Sequence, residues 1–157
     1  MVNYKIREME KNDMDEVMDK LLRLKNLNAE FDYALKVSSG NEAEIKGKLD
    51  KIIDDKENHI ALVIESNNKI AGILISDIIF RIYYDPKYEA RIREFYIMPE
   101  FRARGAGSAL IDEFKKIVNK REIKMITAEF PSMNIIAVNF YKDLGFRELI
   151  KIYAKVD

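Results

Sequence analysis

A short segment rich in arginine and glycine, residues 102–108, has the composition of an anion-binding loop. It reads Arg-Ala-Arg-Gly-Ala-Gly-Ser and lies between a strand that Pro99 stops and the start of a helix. Unpaired backbone N–H groups and the positive end of a helix dipole favour a bound phosphate, and glycine lets the backbone approach it. Arg102 and Arg104 can add a bidentate grip on a pyrophosphate. The alternative is that the glycines only make a tight turn into the helix.

Two familiar phosphate-binding loops do not fit this segment. A Walker loop requires Lys and then Ser or Thr after its last glycine, whereas Gly107 is followed by Ser108 and Ala109. The dinucleotide-binding fingerprint requires a third glycine where this chain has Leu110. Both a nucleoside triphosphatase and a dinucleotide-binding enzyme are therefore disfavoured.

A second segment, residues 134–146, predicts an amphipathic helix that ends at Gly145 and is followed by an aromatic residue. Phe140 and Tyr141 are adjacent in it, and adjacent side chains point about 100° apart on a helix. They cannot both occupy the centre of one buried stripe, so we expect one of them to face a cleft. The alternatives are that Tyr141 is a core residue and that Asn134 is only the helix N-cap.

Composition limits the remaining function classes. The 157 residues correspond to one domain, residues 1–157, and the 48% hydrophobic and 34% charged residues are typical of a folded protein. Lys plus Arg and Asp plus Glu each number 27, so nothing in the net charge favours a nucleic-acid partner. The chain has no cysteine and a single histidine, His59, which excludes thiol nucleophiles and disfavours a metal site. We expect no metal.

The beginning of the chain, MVNYKIREMEKN, carries charges throughout, whereas a signal peptide needs a continuous apolar stretch. No run approaches the ~18 apolar residues of a membrane-spanning helix. We therefore expect a cytoplasmic protein without a membrane partner.

The hydrophobic pattern predicts the order β, two helices, a β meander, and then β, α, β, α, β. Asp13 with Glu16, and Asn41 with Glu44, have the spacing of helix capping boxes. The predicted elements are a strand at 4–7, helices beginning near 13 and after 41, two strands from 59 to 80 joined by a hairpin, a strand at 91–98, a helix at 110–118, a strand at 123–130, a helix at 136–144 and a strand at 146–156.

Taken together, the two segments resemble the GNAT superfamily of N-acetyltransferases over nearly the whole chain. Residues 99–107 match the family's acetyl-CoA signature, which is Arg or Gln, two residues, Gly, one residue, and Gly or Ala. The second match begins 27 positions after Gly107, where residues 134–146 have the family's Asn, Ala, Phe-Tyr and Gly-Phe spacing without a gap. The resemblance implies a single α/β (α+β) domain whose central mixed, mostly antiparallel twisted sheet is flanked by about four helices.

The resemblance also implies acetyl-CoA as the cosubstrate and a set of residues that bind it. The pantetheine arm would bond to the backbone of Phe95, Tyr96 and Ile97, with Asn134 on the opposite side. The pyrophosphate would rest on the backbone amides of Arg102, Ala103, Arg104, Gly105, Ala106 and Gly107.

For catalysis, Tyr141 matches the family's proton donor to the leaving thiolate. Transfer from a phenol of pKa ~10 to a thiolate near ~8.5 is uphill by ~2 kcal/mol, so we expect hydrogen-bond donation first and full transfer later. Glu129 matches a position where some relatives carry a base that acts through water. The alternative for Glu129, and more strongly for Glu94, is an ordinary strand glutamate. Arg91 and Arg93 stand where certain relatives have an acidic base, which disfavours a base from that strand.

The implied function is direct transfer of an acetyl group from acetyl-CoA to a primary amine by an acyltransferase. The acceptor would be a small molecule such as a polyamine, or a protein N-terminus or lysine. Acidic and aromatic residues at 30–33 would suit a cationic amine, or are ordinary exposed surface. The alternative function is a non-catalytic acyl-CoA-binding module that regulates a partner. The resemblance allows a homodimer.

Overall fold

Strands form where apolar residues run continuously or alternate, because β-branched side chains pack well on a pleated surface. The computed structural model, which describes residues 3–157, has one five-stranded sheet whose spatial order is the chain order. The first three junctions are antiparallel and the last is parallel. The strands are β1 (Lys5–Glu8), β2 (His59–Ser66), β3 (Lys69–Phe80), β4 (Tyr88–Ile97) and β5 (Ile126–Ala128).

Four α-helices cover the two faces of this sheet. Side chains alternate across a strand, so Leu62 and Val63, adjacent on β2, belong to two different apolar layers. One layer contains Phe114 and the other contains Val17. The helices are α1 (Met14–Ala29), α2 (Glu42–Asp54), α3 (Ala106–Lys120) and α4 (Ile135–Asp143). The mixed, mostly antiparallel sheet with four helices confirms the predicted fold class. Among residues 3–157, no helix is long and apolar enough to cross a membrane.

The two predicted capping boxes are wrong. The Asp13 carboxylate accepts two hydrogen bonds from Arg7, each 2.8 Å long, and one from the Glu10 amide, and so does not cap α1. The Asn41 side chain donates to the Ser38 hydroxyl instead of capping α2. For Asp13, Arg7 on β1 takes the carboxylate oxygens that a cap would use. For Asn41 the structure shows only that its side chain does not bond to the first amides of α2.

The predicted final strand at 146–156 is also wrong, because no strand is found after α4. The strand expected at 123–130 is reduced to the three residues of β5. A strand exists only where a neighbouring strand takes its backbone hydrogen bonds, and local patterning alone does not supply that neighbour.

Candidate active site

A wedge-shaped opening separates the end of β4 from the chain that follows β5. The two strands pair in parallel from Ala90 to Ile92, and the last bond between them runs from the Glu129 amide to the Ile92 carbonyl, 3.0 Å. β4 continues to Ile97 without a strand on that side. The backbone along one edge of β4 is therefore left open to a ligand.

The register of β4 shows which backbone groups face the opening. The Met98 amide bonds to Ala71 on the β3 side, at 2.8 Å. Backbone groups alternate in direction along an antiparallel strand, so those of Phe95 and Ile97 point into the opening. Those of Tyr96 point at β3, which differs from the expectation for this residue.

The loop between β4 and α3 brings unpaired amides to the mouth of the opening. Gly105 has φ +82°, a left-handed conformation that favours glycine, and no side chain caps α3. The backbone amides from Ala103 to Ser108 make no hydrogen bond with another described residue. The Arg102 amide bonds to the Pro99 carbonyl and is not available. Five of the six amides expected to bind pyrophosphate are thus unpaired.

The two arginines of the loop do different things. Nε of Arg102 donates to the Ile97 carbonyl at 2.8 Å, and its guanidinium lies 5.3 Å from the centroid of the Tyr96 ring. Arg102 therefore stabilises the C-terminal end of β4. The Arg104 side chain is exposed, and the backbone carbonyl of Arg104 accepts a hydrogen bond from the Tyr4 hydroxyl. Arg104 is the arginine of the pair that can reach a phosphate in solvent.

Tyr141 lies at the base of the opening in a cluster of aromatic rings. Its ring stacks on Phe130 with centroids 5.2 Å apart and planes 7° apart, and meets Phe140 and Phe146 edge-on. The residue is 6% exposed, and its hydroxyl makes no hydrogen bond with another described residue. Burial raises the pKa of the phenol. The phenol therefore stays protonated and can donate a hydrogen bond.

The half-buried member of the Phe140–Tyr141 pair is Phe140. Its ring stacks on Phe95 at 5.5 Å, and a Cβ at Gly107 would lie 3.5 Å from both rings. The first turn of α3, which belongs to the first motif, thus packs against α4, which belongs to the second motif.

Asn134 acts as the N-cap of α4. Its side-chain oxygen accepts a hydrogen bond from the Ala137 amide at 3.1 Å. Its side-chain nitrogen donates to no other described residue and remains able to donate to a ligand. The cap orients this nitrogen relative to the opening.

Two carboxylates lie beside the opening, and one of them is on β4. A β-bulge inserts Arg93 opposite β3, so that Glu94 pairs with Ile75 and faces α1. There the Lys25 ammonium lies 2.6 Å from a Glu94 oxygen. Burial raises the Glu94 pKa, and Lys25 opposes that change without cancelling it. The sequence analysis named Glu94 but favoured an ordinary strand glutamate, because the burial of Glu94 under α1 could not be read from the sequence.

Glu129, the glutamate expected to act as base, is held by an arginine. Its Oε1 lies 2.5 Å from Nη1 of Arg93, whose Nε bonds to Asp77 at 2.7 Å. Asp77 in turn contacts Nδ1 of His59 at 2.9 Å. The Glu129 side chain is 45% exposed, against 20% for that of Glu94. Glu94 is thus the carboxylate that the fold shields from water. Within residues 3–157, no group of three or more His, Asp or Glu side chains could hold a metal ion.

Known proteins resemble this chain in sequence. The model of the acetyltransferase (GNAT) family matches residues 21–146. An uncharacterized N-acetyltransferase of Methanocaldococcus jannaschii is 34% identical over 86 residues, covering 55% of this chain and 38% of that protein. The chain therefore matches about two fifths of the length of this relative.

Solved structures resemble the chain over almost its full length. The aminoglycoside N-acetyltransferase AAC(6')-Iy in complex with CoA has a TM-score of 0.78 at 14% identity, covering 100% of this chain and 96% of that one. Glucosamine-6-phosphate N-acetyltransferase from Arabidopsis thaliana has a TM-score of 0.71 at 18% identity, covering 99% of both chains. These likenesses establish the fold. Since the family model spans most of the chain and both motifs, the chain belongs to the acetyltransferase (GNAT) family.

Proposed function

We propose that the protein transfers an acetyl group from acetyl-CoA to a primary amine. The observation that carries this proposal is the wedge between β4 and β5, which has unpaired amides from Ala103 to Ser108 at its mouth and a protonated Tyr141 at its base. An anion site and a proton donor at the two ends of one opening suit a thioester joined to a pyrophosphate. The structurally similar AAC(6')-Iy is in complex with CoA.

Each part of acetyl-CoA has residues that fit it. The amides from Ala103 to Gly107 and the exposed Arg104 would hold the pyrophosphate. The backbone groups of Phe95 and the amide of Ile97 would bond to the pantetheine arm from one side, and the Asn134 side-chain nitrogen from the other.

Acetyl-CoA supplies an activated thioester carbonyl. The lone pair of a neutral amine attacks it, the new C–N bond forms, and the C–S bond breaks. The amine nitrogen then loses its second proton and the CoA thiolate gains one, so that the products are the amide and the CoA thiol. Tyr141 donates a hydrogen bond to the sulfur as negative charge develops there. Because burial raises the pKa of the phenol above ~10, complete proton transfer to a thiolate near ~8.5 is uphill, and hydrogen-bond donation dominates in the transition state.

The proton of the substrate ammonium needs an acceptor before attack. We assign this role to Glu94, acting directly or through water, because a carboxylate with a raised pKa is a better base than an ordinary one. Glu129, the base expected from the resemblance, is more exposed than Glu94, at 45% against 20%, and its charge is offset by Arg93, so we assign it the lesser role.

We propose a small-molecule amine as the acceptor, in preference to a protein N-terminus or lysine. Two relatives of similar fold are named for such substrates, an aminoglycoside and glucosamine 6-phosphate. The exposed ring of Tyr33, between α1 and α2, offers a cation–π contact to such an amine.

Two measurements test the function. First, the unfolding midpoint is measured with and without acetyl-CoA, since ligand at ~100 times its Kd adds about 2.7 kcal/mol of stability. Desulfo-CoA tests the contribution of the thioester end to this rise in the midpoint. Acetylpantetheine lacks the pyrophosphate and should raise the midpoint only slightly. No rise at millimolar acetyl-CoA would overturn the proposal.

Second, CoA release is followed with a thiol reagent over a panel of polyamines, amino sugars and peptides. The chain contains no cysteine, so the protein contributes no background thiol signal. Turnover of a small amine supports the proposal, and turnover of peptides alone refutes the acceptor class. Binding of acetyl-CoA without turnover of any amine would identify a non-catalytic acyl-CoA-binding module.

A further inference from the structure

The chain holds a primary amine of its own against the carboxylate that we assign as the base. Nζ of Lys25, on α1, donates a hydrogen bond to Oε1 of Glu94 at 2.7 Å and lies 2.6 Å from Oε2. The two residues are 69 positions apart in the chain, so the packing of α1 on β4 is what brings them together. The Lys25 side chain is 42% exposed and has a flexible four-carbon stem, so its ammonium can move without disturbing the core.

The position of Glu94 places this amine at the acceptor side of the wedge. Glu94 directly precedes Phe95, whose backbone groups point into the wedge where the pantetheine arm would lie. A base has to come within hydrogen-bond distance of the ammonium that it deprotonates. An acceptor ammonium deprotonated directly by Glu94 therefore has to take the position that the Lys25 ammonium occupies in this structure.

The pair of Lys25 and Glu94 differs from the other lysine–carboxylate pairs of residues 3–157. In those pairs the carboxylate side chain is 40% or more exposed, whereas that of Glu94 is 20% exposed. Burial raises the Glu94 pKa, so this carboxylate accepts a proton more readily than the exposed ones. Lys25 thus combines a primary amine with the base of the proposed reaction.

We propose that the protein acetylates its own Lys25 when no amine acceptor occupies the site, an inference that rests on the proposed transfer from acetyl-CoA. Glu94 accepts one proton from the Lys25 ammonium, and the neutral Nζ attacks the thioester carbonyl. The new C–N bond forms and the C–S bond breaks. The nitrogen then loses its second proton to water and the CoA thiolate gains a proton. The products are acetyl-lysine and the CoA thiol, with a net release of one proton.

This reaction occurs once per chain. The amide formed at Lys25 carries no charge and is no longer a nucleophile. It stays attached to α1 beside Glu94, where it occupies the position that an acceptor ammonium needs. In the absence of any amine we therefore expect a burst of about one CoA per chain and then no further release.

Mass spectrometry after incubation with acetyl-CoA alone tests the proposal. Trypsin cleaves after Arg23, Lys25 and Lys36, and so releases residues 26–36 from the unmodified chain. Trypsin does not cleave after acetyl-lysine, so modification of Lys25 gives residues 24–36 with one acetyl group. Lys25→Arg should abolish the burst, since a guanidinium is not deprotonated in proteins. A burst that persists in Lys25→Arg, or a Lys25 without an acetyl group, would overturn the proposal.

Lys56 is the matched control for the slow chemical acetylation of lysines by acetyl-CoA. Its ammonium lies 2.7 Å from the carboxylate of Glu8, which is on β1 at the opposite edge of the sheet from β5. Tyr141→Phe should lower the rate of acetylation at Lys25 by about 10²-fold and leave the rate at Lys56 unchanged. Equal rates at Lys25 in Tyr141→Phe and wild type would show chemical acetylation only and contradict self-acetylation.

Two comparisons separate this inference from transfer between chains and from failure of the proposed function. Isotopically labelled Tyr141→Phe protein mixed with wild type should stay unmodified at Lys25, and its modification would refute a reaction within one chain. Turnover of a small amine by wild type with no acetyl group on Lys25 would overturn this inference and leave the proposed function standing. Absence of both turnover and modification would overturn the two together.

Discussion

The Lys25 ammonium on α1 lies 2.6 Å from the Glu94 carboxylate on β4 and forms an ion pair with it. α1 shields this carboxylate from water, and its pKa is raised although a cation is present, because the cost of burial exceeds the gain from Lys25. A carboxylate in this state is poised to accept a proton from an amine.

Glu94→Gln removes the proposed base and keeps nearly the same shape. We expect kcat/KM for the amine to fall by about 10²-fold or more, since that is the usual contribution of a general base. The acetyl-CoA Kd, measured by calorimetry, should stay within about twofold of wild type by our assignment. Glu129→Gln is the matched comparison and should cost less. A larger loss for Glu129→Gln would return the role of base to Glu129.

The raised pKa of Glu94 also gives a pH dependence with a defined sign. The base works only when ionised, so kcat/KM is lost as pH falls through the Glu94 pKa, which lies above the usual glutamate value. Stability changes in the opposite direction, because a raised pKa in the folded state stabilises the fold at low pH and this contribution is lost as pH rises. The Tm of Glu94→Gln relative to wild type should therefore increase with pH across this window. A difference independent of pH would show that burial does not raise this pKa.

Tyr141→Phe removes the hydroxyl and keeps the ring in its aromatic cluster. We expect kcat to fall by about 10²-fold, as for loss of one transition-state hydrogen bond. The Tm should hardly change, because the hydroxyl has no partner in the described residues. Tyr83→Phe, at an exposed tyrosine of the β3–β4 hairpin, is the control and should leave kcat unchanged. Equal rates for Tyr141→Phe and wild type would exclude Tyr141 as the proton donor.

Gly105→Ala tests the backbone of the loop. Gly105 has φ +82° and open space around it, so alanine should cost about 1–2 kcal/mol of unfolding free energy through backbone strain. Gly40→Ala is the control, with φ +75° and equally open space, and should cost a similar amount. Urea unfolding measures both. Of the two variants, only Gly105→Ala should weaken acetyl-CoA binding. An equal loss of acetyl-CoA affinity in both variants would show that the loop does not bind the ligand.

Asp13→Asn tests the ion pair that replaces the predicted cap. Arg7 lowers the Asp13 pKa through two hydrogen bonds, and the Arg7 guanidinium also contacts Glu65. We expect a loss of about 1–3 kcal/mol of unfolding free energy at pH 7, against less than about 0.5 for the exposed control Asp15→Asn. A lowered pKa contributes stability above the usual Asp value that is lost as pH falls. The difference in urea unfolding between wild type and Asp13→Asn should therefore shrink as pH falls below the usual Asp value, and a difference that stays constant over this range would contradict this origin.

The order of elements from β1 to α4 and the position of the loop at 102–107 could be predicted because their causes act within a few residues. Helical periodicity placed α3 and α4, and the need for a left-handed residue before α3 explains Gly105. The resemblance of the two motifs to one family implied that α3 and α4 would lie at one site. In the structure the two helices are close together, since a Cβ at Gly107 would lie 3.5 Å from the Phe140 ring.

The remaining features depend on surfaces that are distant in the chain. Asp13 has the residue type of a cap, but Arg7 from β1 takes its oxygens. Glu94 resembles any strand glutamate until α1 covers it. The sequence by itself therefore determined the glycine turn of the loop at 102–107 and the alternating apolar pattern of residues 150–156. Only the tertiary structure decided which carboxylate is buried and which strand edge is unpaired. Burial and strand pairing both require contacts between segments that are distant in the chain.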